Sequence, residues 1–90
     1  GVALAPGSRT RLPASVTLGR REVIVPPQAR AEVRGRARLG EVQIGPAVRS
    51  GPDIRHRKVL EPKTTGPGAV PVVELHLTAG IGDLAVRHAL

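Results

Sequence analysis

The chain has 90 residues, a formal charge of +7 and no Cys, Met, Phe, Tyr or Trp. Disulfides and thiolate metal sites are therefore excluded, aromatic platforms for stacking nucleic-acid bases are absent, and the interior must be built from Val, Leu, Ile and Ala, which suits closely spaced backbone layers. No run reaches the roughly 18 apolar residues of a membrane-spanning helix, and nothing reads as a signal peptide.

In chain order, the first element is an alternating stretch with Leu12, Ala14, Val16 and Leu18 on one side and Ser15 and Thr17 on the other. Period two is the pattern of a strand with one buried face. Gly19 follows, then a second short apolar alternation at Val23 and Val25, with Arg20 and Arg21 read as inserting an extra residue. The next element repeats the arrangement: Val33, Gly35, Ala37 and Leu39 against Arg34, Arg36 and Arg38, then Gly40, then Val42 and Ile44. A third copy centred on position 61 is degenerate, with Glu61 in place of the glycine, Ile54 and Leu60 in apolar columns, and His56 and Lys58 breaking them. The last copy has Leu75, Leu77, Ala79 and Ile81 opposite His76 and Thr78, then Gly82, then Leu84 and Val86.

Gly19, Gly40 and Gly82 are 21 and 42 residues apart, and the Gly45-Pro46 and Gly66-Pro67 turns are also 21 apart. A fixed period of this length predicts a repeat architecture. The fold expected over residues 1–90 is one all-β domain, a short β-solenoid-like stack of 21-residue coils with Gly19, Gly40 and Gly82 at the corners; an antiparallel β-sandwich is the alternative. Leu18, Leu39 and Ile81 are expected on a common buried seam.

The order "ASVTLGRREVIVPP" (14–27), "AEVRGRARLGEVQIG" (31–45) and "VVELHLTAGIGDLAVRH" (72–88) resembles the C-terminal domain of the cell-wall-active antibiotic response proteins, and the related toast-rack domain of phage-shock-protein-C-like bacterial proteins, over residues 8–88. What the resemblance implies is a non-enzymatic interaction module of an envelope-stress response, associating with a membrane sensor kinase or with itself. It implies no catalytic residues. The chain starts at Gly1 rather than Met, which together with the resemblance gives the expectation of a C-terminal piece of a membrane-anchored parent, with the cytoplasmic face favoured.

Catalytic chemistry finds no foothold in the residues. "GIGDLA" (80–85) has dinucleotide-fingerprint spacing, but only five residues follow Ala85, too few for the helix and the later acid that the motif needs. His56, His76 and His88 lack ligand-like spacing, and Ser8, Ser15 and Ser50 lack a nucleophile-elbow context. No catalytic, cofactor or metal site and no small-molecule substrate is expected.

The remaining feature is basic. Coil stacking in register puts Arg34 over Arg55 and Arg36 over Arg57, with Arg38 beside them, and an adjacent column of Arg11, Glu32, Asp53 and Glu74 offers partial compensation. An anionic membrane surface or cell-wall intermediate fits such a face; nucleic acid fits poorly without aromatic residues or a groove-reading helix. High-GC coding yields the same arginine-rich composition with no partner at all. Unpaired edges are expected near Val23, Val25, Leu84 and Val86, as sites for self-association.

Overall fold

The computed structural model describes residues 5–64 and 66–89 and forms four strands: β1 (Arg9–Val25), β2 (Arg30–Ile44), β3 (Ala47–Leu60) and β4 (Val72–His88). No helix occurs among the described residues, so the chain is all-β. One mixed sheet runs in the order β1-β4-β2-β3, with β4 parallel to both β1 and β2, and β3 antiparallel to β2.

Strands of 14 to 17 residues are far longer than the usual five or six or so. Each is two shorter strands joined at a glycine. Gly19, Gly82, Gly40 and Gly51 form one row across the sheet, at φ of 125°, 155°, 144° and 128°. These angles lie where L side chains are strained, and a Cβ on Gly40 would collide with the Gly82 carbonyl, as one on Gly82 would with that of Gly19.

Along this row the sheet folds on itself. A Cβ at Gly35 would lie 2.6 Å from Val42 Cγ1, although residues seven apart in a straight strand are about 23 Å apart and on opposite faces. Only a strand that doubles back brings them together. The first arm thus holds residues 9–18, 72–81, 30–39 and 52–60; the second holds 20–25, 83–88, 41–44 and 47–50. Their inner faces share one aliphatic core, with Val33, Ala37, Leu75 and Leu77 from the first arm against Val42, Ile44, Leu84 and Val86 from the second.

Folding also places the two tips side by side. A Cβ on Gly45, at the second arm's tip, would sit 2.7 Å from Leu60 Cδ2, at the first arm's tip. His88 Nε2 is 2.8 Å from the Ala29 carbonyl; a carbonyl only accepts, so the ring carries its proton on Nε2. Residues 26–29 therefore suffice to carry the chain from the end of β1 to the start of β2, which run in the same direction. A flat parallel sheet needs a crossover of about a dozen residues for that.

The glycine period is therefore structural, but the units do not stack in chain order. β4 inserts between β1 and β2, and β3 returns antiparallel through the two-residue Gly45-Pro46 turn, where positive φ at Gly45 (57°) followed by proline suits a type II′ hairpin. The third copy is not centred on Glu61, which lies outside the strands; its corner glycine is Gly51, reached in the opposite chain direction. No residue is inserted at Arg20 and Arg21 either, since Arg20 pairs with Asp83 and Arg21 with Leu84 in unbroken register.

The seam of Leu18, Ile81 and Leu39 exists, in register, but it is exposed. Alternation shifts phase at the corner: in β2 the buried positions pass from Ala37 to Val42 and in β4 from Ala79 to Leu84, an odd step, so the residue before each glycine turns outward. His56, expected to break a column, fills it instead. It pairs with Gly35 and is buried, with Nε2 3.4 Å from the Ala47 carbonyl, while Val42 fills the room that the missing Gly35 side chain leaves.

Candidate anion-binding face

The outer face of the first arm is read most simply row by row. Nearest the tip is the row of Arg9, Val72 and Arg30, and after it Arg11, Glu74 and Glu32 lie side by side on β1, β4 and β2. The next row is Pro13, His76, Arg34 and Arg57, and the one after is Ser15, Thr78, Arg36 and Arg55. Arg38 follows on β2, and all five arginines of β2 and β3 in this region are exposed. Alternation in β2 and β3 puts them there, because the intervening Val33, Gly35, Ala37, Ile54 and His56 face the core.

The expected grouping of Arg34, Arg36, Arg38, Arg55 and Arg57 is present with crossed partners. Antiparallel pairing sets Arg34 opposite Arg57 and Arg36 opposite Arg55, not Arg34 over Arg55. Directly opposed side chains in an antiparallel pair have Cβ atoms about 5 Å apart, and like charges there are destabilising.

The expected acidic compensation goes elsewhere. Arg9 lies 3.0 Å from a Glu32 carboxylate oxygen and 3.1 Å from one of Glu74, and Arg11 is 3.7 Å from Glu74. The edge strand β1 thus neutralises the acidic row. Asp53 is not in that row; it sits by the corner of β3 with φ of 51°, a conformation Asp tolerates better than most residues. Among the described residues no carboxylate lies within 4 Å of Arg34, Arg36, Arg38, Arg55 or Arg57. Arg34, Arg36, Arg55, Arg57, His76 and Thr78 line an open depression of about 560 Å³. Guanidinium groups with unengaged donors around such a hollow can grip phosphate or carboxylate oxygens in pairs.

Edges were expected at Val23, Val25, Leu84 and Val86. Val23 and Val25 do lie on an edge strand, β1, although Val25 points into the core; Leu84 and Val86 lie on β4, paired on both sides and buried. The true edges, β1 and β3, are protected. Pro13 and Pro52 interrupt their hydrogen-bonding capacity, and Arg21, Arg49 and Lys58 occupy inward-facing rows, opposite the buried Leu84, Val42 and Val33. Both devices discourage strand addition.

The sequence reading missed the outward row of Leu18, Ile81, Leu39 and Pro52. A signal was available, since apolar columns on the two sides of each glycine are separated by an odd number of residues. Gly80 to Ala85 lies within continuous β4, with no helix start at which a phosphate could bind, and the described residues contain no group of three side chains able to hold a metal ion. No protein-family model, curated protein or solved structure matches the chain.

Proposed function

We propose that the chain is a non-catalytic binding module that engages an anionic partner through Arg34, Arg36, Arg38, Arg55 and Arg57. One observation carries the reading: four arginines face each other in two cross-strand pairs with no carboxylate of the described residues within 4 Å, while Glu32 and Glu74, one row away beside Arg34 and Arg57, are taken by Arg9 and Arg11. Such an arrangement costs folding free energy unless an external anion relieves it. The resemblance to toast-rack and cell-wall-active antibiotic response domains supports placing such a module in a membrane-anchored envelope-stress protein, regulating by association with a sensor kinase or another copy. Blocked strand edges favour the arginine face over strand addition as the contact.

Retention on an immobilised polyanion at low salt tests the reading. The variant R34Q/R36Q/R55Q/R57Q should elute at markedly lower salt than a charge-matched control, R20Q/R21Q/R30Q/R49Q. Equal loss in both variants would show that only net charge matters and would reduce the face to composition.

A further inference from the structure

The arginine face does not end in solvent. On β2 and β3 it borders, at Leu39 beside Arg38 and at Pro52 beyond the exposed Asp53, on the outward row of Leu18, Ile81, Leu39 and Pro52 that runs along the outside of the fold. Leu18 is 74% exposed, Ile81 56% and Leu39 49%, three large aliphatic side chains on adjacent strands β1, β4 and β2. Beyond the glycines the unrelieved basic charge ends, with Asp83 and Glu41 side by side and Arg20 next to Asp83 on the outer face of the second arm.

We infer that the partner of the arginine face is the surface of an anionic lipid bilayer, with Leu18, Ile81 and Leu39 entering the headgroup and acyl boundary while the arginines hold lipid phosphates. The inference rests on the anion-binding reading proposed above and names its partner. Membrane-surface binding combines inserted apolar area with attraction to anionic lipid, and here the two components are contiguous. A convex aliphatic ridge has no use for a phosphodiester backbone and would need a matching groove in a protein, whereas fluid acyl chains close around any ridge. Guanidinium is weakly hydrated and pairs bidentately with phosphate, so it suits the interface better than an ammonium would. The second arm intersperses its arginines with Asp83, Glu41 and Glu22, whereas the first concentrates them, which sets the first arm toward the bilayer.

Because the chain contains no Phe, Tyr or Trp, Leu18→Trp creates a protein with a single fluorophore on the ridge, and Ile24→Trp places one on the second arm as a control. Vesicles of phosphatidylcholine alone and of equimolar phosphatidylcholine and phosphatidylglycerol are the probes. On the anionic vesicles only, the Leu18→Trp emission should shift to the blue and be quenched by brominated acyl chains; Ile24→Trp should do neither. R34Q/R36Q/R55Q/R57Q should lower the partition coefficient by roughly 100-fold or more, and L18S/L39S/I81S by roughly tenfold. Should circular dichroism show the triple serine variant unfolded, Leu18→Ser alone, at the most exposed position, should still lower it about threefold.

Arginine-dependent co-sedimentation with unchanged Leu18→Trp emission would overturn insertion and leave the anion-binding reading standing. Arginine-dependent retention on polyphosphate, RNA or an acidic polypeptide, without any vesicle binding, would overturn the lipid assignment alone. Absence of arginine-dependent retention on every probe would remove the anion-binding reading, and this inference with it.

Discussion

The two arms of the folded sheet share strand order, register and interior, yet their outer faces treat charge differently. Arginine content does not separate them, because the second arm has Arg20, Arg21, Arg49 and Arg87 on its shorter strands. Placement does. In the second arm, Arg20 and Arg87 are held by Glu22 at 3.4 and 3.5 Å, and Arg21 and Arg49 guard the inward edge rows. In the first arm, Arg34, Arg36, Arg55 and Arg57 occupy consecutive outward positions against one another with no acid between them. High-GC coding explains how much arginine there is, but not why one arm disperses and pairs it while the other concentrates it. The folding requirement, a glycine row and a slim aliphatic core, is met by both arms alike and leaves the arginine face unexplained by stability.

The largest expected effect removes the fold that creates two arms at all. Gly40→Ala places a methyl group on the Gly82 carbonyl in the middle of the sheet, at φ of 144°, and should cost more than about 4 kcal/mol or abolish folding. Gly51 shares the row, but nothing lies within 4 Å of its would-be Cβ. Gly51→Ala therefore bears only backbone strain, about 1–2 kcal/mol. Urea unfolding of both variants is the check; similar midpoints would mean that strands do not approach closely at the bend.

Contact between the arms comes next. Gly35→Ala drives a methyl group against Val42 and should cost about 1–3 kcal/mol through overpacking. Val42→Ala vacates that space, so the double variant should be more stable than the sum of the single losses. A double-mutant cycle measured by denaturant unfolding reads the coupling, and strict additivity would separate the two residues and with them the two inner faces.

Much of this architecture was legible because a glycine that must accept positive φ leaves a periodic mark. Gly19, Gly40 and Gly82 are that mark, and the alternation around them identified the strands and most of the core. Gly51 escaped because β3 meets the row from the opposite direction, and a forward period cannot register a reversed copy. The insertion of β4 between β1 and β2 was invisible for a related reason: parallel units with the same glycine and aliphatic columns can be neighbours in any order, and adjacency is decided by the connections. The arginine cluster was found although its partners were assigned wrongly, since parallel and antiparallel pairing both bring outward residues of β2 and β3 together. Leu18, Leu39 and Ile81 were misplaced because strict alternation was carried one residue too far into a corner where φ changes sign.

The smallest expected effect distinguishes the arms most directly. If the first arm's arginines are a burden on folding, R34Q/R57Q should raise stability by a few tenths to about 1 kcal/mol, since it removes one opposed like-charge pair that makes no salt bridge among the described residues. The corresponding change in the second arm, Arg87→Gln, removes an exposed contact with Glu22 and should lower stability by no more than about 0.5 kcal/mol. Opposite signs are therefore expected from chemically identical substitutions, and the difference should shrink with added salt as the repulsion is screened. Unfolding by urea at low and high ionic strength measures both. Loss of stability in R34Q/R57Q would mean that these arginines support the sheet, and the argument that they are kept for an external anion would lose its energetic basis.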